Sequence, residues 1–177
     1  MCGDAMAIVL RRTAVAVVLG CASLLAGCGG RAAMTTDEFR AKQAGNVEII
    51  VVDRPLRDVA ATFRDRAPAC IQDVQTTSFN GPPGRRLMSQ WRYHETVKVT
   101  DRQVELSVQA MTPTYSRFEL PDEHGIYVIL ARVAPVDGRR SRLEIYGSWG
   151  SMFEEDRIKI AIRGWAAGTF AGCPELP

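Results

Sequence analysis

The chain has 177 residues, 46% apolar and 24% charged, with 22 Lys and Arg against 20 Asp and Glu. That length suits one domain, and that composition excludes wholesale disorder. A net charge of +2 excludes a nucleic-acid binder held by a broad basic surface, and five Cys are too few for a disulfide-dense scaffold.

The N-terminal segment reads as an address rather than as structure. Arg11 and Arg12 precede an uncharged stretch from Thr13 to Gly27, which ends in Leu25-Ala26-Gly27-Cys28. The stretch is short of the ~20 mostly apolar residues that a membrane-spanning helix needs. Met6 is an alternative start, because Asp4 is out of place in a positive leader.

This pattern resembles the lipobox of bacterial lipoproteins. The resemblance implies that residues 1–27 are a signal peptide removed by signal peptidase II. It also implies that Cys28 is lipidated on its sulfur and then on its new amine, with palmitate-type chains. Only a thiol is nucleophilic enough for that sulfur chemistry. One acyl chain holds a protein marginally, and two or three hold it stably. By the same resemblance, Gly29 rather than Asp after the Cys implies the outer membrane, with the domain facing the periplasm.

Residues 28–45 are expected to be a lipidated tether, with a short helix near Thr36 to Gln43. Residues 46–177 are expected to be a single domain. Asn46 to Asp53 is β-branched and continuous, the pattern of a buried strand. Leu56, Val59, Ala60, Phe63 and Ala67 then share one helical face, with Asp53 as cap and Pro68 as stop. Thr77 to Gly84 reads as a loop around Asn80-Gly81-Pro82-Pro83-Gly84.

Leu87, Trp91, Tyr93, Val97 and Val99 alternate with Arg92, His94, Thr96 and Lys98. After a turn at Asp101-Arg102, Val104, Leu106, Val108 and Ala110 alternate with polar residues. The two runs predict a hairpin with one face in the core. Glu95 breaks that face and predicts a bulge that turns it outward. Further strands are expected over Ile126 to Ala134 and from Leu143 to Trp149. A C-terminal helix follows, started by Ser151 and Glu154 as a capping box and ended near Gly172 and Pro174.

The order predicts an α+β fold: an antiparallel β-sheet with an N-terminal helix and a long C-terminal helix on one face. The layout resembles the helix-grip plan of some envelope lipoproteins and lipid binders, in architecture alone. Cys70 and Cys173 each follow a predicted helix end, in a protein exported to an oxidising compartment. They are expected to form a disulfide, two buried thiols being the alternative.

No catalytic set stands out. His94 and His124 are far apart in sequence, and Asp122-Glu123-His124 lacks a second His at ligand spacing. No metal or cofactor is expected, and the chain is read as no enzyme. Arg85, Arg86, Arg139, Arg140 and Arg142 flank turns, where they are either solvated or against lipid headgroups. Trp91, Tyr93, Trp149 and Trp165 fall at core positions. The function expected is that of a non-enzymatic, lipid-anchored envelope lipoprotein acting by protein interaction. The partners are then membrane lipid through Cys28 and an unidentified envelope protein, with no nucleic acid. The alternative is a carrier that binds a lipid or small apolar ligand between sheet and C-terminal helix. A packed interior favours the first, and an open apolar cavity of ~300 Å³ or more the second.

Overall fold

A computed structural model describes residues 32–71, 75–80, 86–111, 120–147 and 155–174, without side-chain detail for 75–80 and 86–90. Residues from Ala32 onward form one compact unit. The elements are α1 (Thr36–Lys42), β1 (Val47–Val52), α2 (Leu56–Cys70), β2 (Gln75–Asn80), β3 (Arg86–Val99), β4 (Val104–Met111), β5 (Ile126–Pro135), β6 (Ser141–Tyr146) and α3 (Glu155–Ala167). The fold is α+β. The sheet is antiparallel, in the order β1-β6-β5-β4-β3-β2. Five strands make the main body, and β2 pairs only with the first part of β3.

Alternation decides what each sheet face buries. Val104, Leu106, Val108 and Ala110 of β4 are fully buried, as are Ile129, Ala131 and Val133 of β5 and Leu143 and Ile145 of β6. They form one cluster with Val59, Phe63 and Ala67 of α2 and Ile158, Ile162 and Trp165 of α3. Fully burying one such side chain contributes ~1.5–3 kcal/mol. The opposite face carries a smaller cluster of Ala33, Phe39, Leu130 and Tyr146. Phe39 of α1 is its anchor, so the segment expected to be a loose tether packs on the sheet.

Several sequence expectations are corrected. Pro68 lies inside α2 and does not stop it. The helix runs on to Cys70, and the Ile71 N–H still donates to the Ala67 carbonyl at 2.9 Å. Pro55, not Asp53, is the N-cap, with no side-chain cap bond. Gln75–Asn80 is a strand, although Thr77 to Asn80 reads as loop from sequence. No bulge exists at Glu95: the β3–β4 register is continuous from Arg92↔Met111 to Val99↔Val104. Glu95 stays on the core face, half-buried opposite Val108. The register shift occurs instead between Val108 and Gln109, against β5. α3 ends at Ala167, earlier than expected. Gly168 has φ 74°, its N–H donates to the Trp165 carbonyl, and the Thr169 N–H donates to Gly164. This is a Schellman cap, for which glycine is the residue of least strain. The Ser151 and Glu154 capping box lies outside the described residues.

Cys70 and Cys173 form a disulfide. It ties the end of α2 to the segment that follows α3. Trp165 locks the same region from inside, its indole N–H donating to the Gly172 carbonyl at 2.9 Å.

Candidate functional site

The site emerges from the strand that the sequence reads as buried. β1 ends the sheet: it pairs with β6 on one side, and among the described residues no strand pairs with its other side. The Gly147 N–H donates to the Asn46 carbonyl at 3.3 Å. With the register Val47↔Tyr146 to Val52↔Ser141, the ladder bonds therefore fall on Glu48, Ile50 and Val52, because bonded and non-bonded pairs alternate. The N–H and C=O groups of Val47, Ile49 and Val51 point away from the sheet. Such edges usually carry Lys, Pro or a bulge that blocks pairing. Val-Glu-Ile-Ile-Val-Val carries none of these, and its one charge, Glu48, is paired with Arg163.

The side chains sharpen the point. Among the described residues, five large hydrophobics are exposed: Ile49, Val51, Val136, Ile160 and Phe170. Ile49 and Val51 lie on β1, and Ile160 and Phe170 line a groove beside it. The groove has a volume of about 880 Å³ and runs between β1 and α3. Ile50, Val52, Ala161, Gly164 and Ala167 also line it, with Asp53, Arg157 and Arg163 as its charged members.

Local sequence explains its shape. Gly164 leaves room for Phe170, whose Cβ lies where a Gly164 side chain would begin. The chain after α3 therefore folds back and makes a wall. Arg163 Nη2 reaches both carboxylate oxygens of Glu48 at 2.8 Å, which fixes α3 against the strand. Arg54, absent from the sequence reading, secures the far end. Its guanidinium donates to the Trp165 carbonyl at 2.8 Å, the Ala166 carbonyl at 3.3 Å, the Asp58 carbonyl at 3.2 Å and the Thr62 hydroxyl at 3.1 Å. A cation at the carbonyl end of a helix also meets the negative end of its dipole. The Ser141 hydroxyl donates to the Arg54 carbonyl at 2.9 Å.

The residues singled out from sequence fall elsewhere. Cys28 lies outside the described residues, as do Arg85 and Trp149. Cys173 lines the groove through its disulfide segment. Trp91 and Tyr93 are buried and stacked, with ring centroids 6.4 Å apart. His94 and His124, distant in sequence, stack at 3.5 Å with 11° between their planes. Parallel rings at that spacing cannot both hold one metal ion in their planes, so this geometry is not a chelate. Among the described residues, no group of three or more His, Cys, Asp or Glu could hold a metal ion. The stack instead holds the 121–125 turn, where the buried Gln109 amide donates to Asp122 at 2.9 Å and to the Gly125 carbonyl at 3.0 Å.

Lys159 is fully buried, with Nζ 2.8 Å from Asp156 Oδ1. That contact is an ion pair without the alignment of a hydrogen bond. Arg140 and Arg142 pair with Asp137 and Glu144, each at 2.7 Å. The Arg139 backbone N–H and the Arg140 side chain hold the Asp137 carboxyl below its usual value. Burial raises the phenols of Tyr127, with the charges of Asp122 and Glu105 adding to it, and of Tyr146, which also donates to Glu144 at 2.7 Å.

No family model and no curated protein matches the chain. A solved structure, the crystal structure of a conserved protein from Geobacillus kaustophilus, is similar at 9% identity and a TM-score of 0.35, covering 69% of this chain and 91% of that one. At that distance the likeness informs neither fold nor function.

Proposed function

We propose that this is a lipid-anchored, non-enzymatic lipoprotein of the bacterial envelope, which acts by docking another polypeptide along β1. The anchor reading comes from Leu25 to Cys28. The docking reading is carried by one observation: among the described residues the outer edge of β1 is unpaired, its Ile49 and Val51 are exposed on one sheet face, and an apolar groove lies along the other. Adding a strand to such an edge supplies affinity through main-chain bonds and specificity through alternate side chains. Both long helices share one buried cluster with the sheet face, which supports a helix-grip-like plan in which α3 is the wall of the site.

The carrier reading has support too, since about 880 Å³ lies within the range of ligand clefts. The groove, however, lies outside a packed interior. Trp165, Ile158 and Ile162 are fully buried, and a lipid makes no use of an open strand edge. Two measurements test the proposal. Labelled palmitate should enter the wild-type chain and not Cys28→Ser; label persisting in the variant refutes the anchor. A photo-crosslinker at Ile160, activated in intact envelopes, should attach to protein. Attachment to lipid alone would favour the carrier.

A further inference from the structure

We infer that the domain rests on its own membrane by the sheet face opposite α2 and α3, with Ile49, Val51 and Val136 entering the headgroup layer. The inference deepens the lipid-anchor reading above and rests on it. Its first support is where the anchored chain enters the fold. Ala33 is buried with Phe39, Leu130 and Tyr146 on that face. Cys28 precedes Ala33 by five residues, which span at most ~18 Å when fully extended. Acyl chains on Cys28 therefore hold this face, not the helical layer, towards the bilayer.

The second support is what the face exposes. Leu130 belongs to it, so Arg132, Ala134 and Val136 do too, because side chains alternate along a strand. The Val136 N–H donates to the Arg140 carbonyl at 2.9 Å, which continues the β5–β6 ladder into the turn. Across the sheet, Arg142 stands between Ala134 and Val51. Ile49, Val51 and Val136 are three of the five large hydrophobics exposed among the described residues, and all three lie on this face. Leu130 to Ala134 is ~13 Å along the strand, so the patch lies beside the point where the tether enters.

The third support is charge. Arg139, Arg140 and Arg142 are exposed around Val136 and Val51. Arg140 and Arg142 each hold one carboxylate, of Asp137 and Glu144, at 2.7 Å and stay half-exposed. A guanidinium carries more N–H donors than one carboxylate uses, so both keep donors for lipid phosphate. Asp53, Asp137 and Glu144 balance these cations, so binding is by contact and not by a long-range field. Such a patch is weak alone. Covalent anchoring raises its effective concentration at the surface, and a second contact steadies an acyl chain that is marginal by itself. In this pose the groove between β1 and α3 lies on the side away from the bilayer, where a polypeptide can reach it.

The test uses the full chain, exported and acylated, in vesicles of phosphatidylethanolamine and phosphatidylglycerol, with a fluorophore on Val136→Cys. Asp65→Cys, exposed on α2, is the control. A lipid with a nitroxide on its headgroup should quench the Val136 fluorophore about threefold or more beyond the Asp65 one, because interfacial side chains sit at headgroup depth. Adding Val51→Asp and Arg139→Glu should remove most of that difference; a difference that survives both would overturn the patch. Equal quenching at both positions, in protein that floats with the vesicles and carries labelled palmitate, would overturn the pose and leave the anchor standing. Protein without palmitate would refute the anchor and the inference with it. In intact envelopes a photo-crosslinker at Val136 should attach to lipid. Attachment to protein alone would overturn the membrane as the occupant of this face.

Discussion

Arg54 shows how one side chain can organise two helices. Its guanidinium serves the carbonyl end of α3 and the first turns of α2 at once. Hydrogen bonds to a charged group contribute ~1.5–3 kcal/mol each at most, and these share one cation. Arg54→Met keeps most of the aliphatic stem and removes the donors. It should lower stability by about 2–3 kcal/mol, read as a shift of the urea midpoint at unchanged slope. Nothing in Asp53-Arg54-Pro55 marks this role, because the partners on α3 lie more than 100 residues away. Tyr127 and Tyr146 offer a second test at this scale. Their folded-state pKa values are raised. Their contribution to stability is therefore complete below the unfolded value of ~10 and is lost as pH rises through the folded values. Absorbance at 295 nm should show these two phenols ionising above pH ~10. A titration in which every tyrosine ionises at or below that value would contradict it.

The elements divide sharply in how legible they were. Strict alternation in Val104 to Ala110 announced β4 and its apolar face, yet Glu105, Ser107 and Gln109 on the other face are buried as well. β1 was misread for a physical reason. A continuous Val/Ile run signals two covered faces, and here the face away from the helices is open, so that Ile49 and Val51 are more than half accessible. The residues that break the rule are those of the candidate site. Glu95 was misread the other way: a carboxylate facing the core suggested a bulge, yet the ladder holds it in register. Gly164 weakens α3 as a helix former, and the packing of Phe170 against it supplies the reason for a glycine there. At Gly168, φ 74° penalises any L side chain by roughly 1–2 kcal/mol. Gly168→Ala should lower stability by about 1 kcal/mol, seen as a lower melting temperature. Gly164→Ala gains helix propensity but displaces Phe170, so it should open the groove wall and raise the accessibility of Trp165 to a collisional quencher.

On the scale of the whole molecule, the disulfide and the open edge act in opposite directions. Cys70–Cys173 spans 103 residues and closes a loop for which the chain-entropy model gives ~4.7 kcal/mol, with ~2–5 the usual measured cost of removal. Replacing both cysteines by Ser should lower stability within that range. Non-reducing peptide mapping of the protein should recover the two joined. The bridge pins the segment after α3 and so holds Phe170 as a groove wall. Fold class and the paired cysteines were legible in sequence because periodicity and helix ends are local signals. The groove was not, because it depends on which strand ends the sheet, a property of long-range pairing order. The most direct measurement is residue-resolved amide exchange along β1 in the purified protein, alone and with a solubilised envelope extract. The Glu48, Ile50 and Val52 amides should be protected throughout. Those of Val47, Ile49 and Val51 should exchange fast in the protein alone and slow together with the extract. Equal protection of both sets in the protein alone, or fast exchange of the second set in both samples, would contradict docking along this edge.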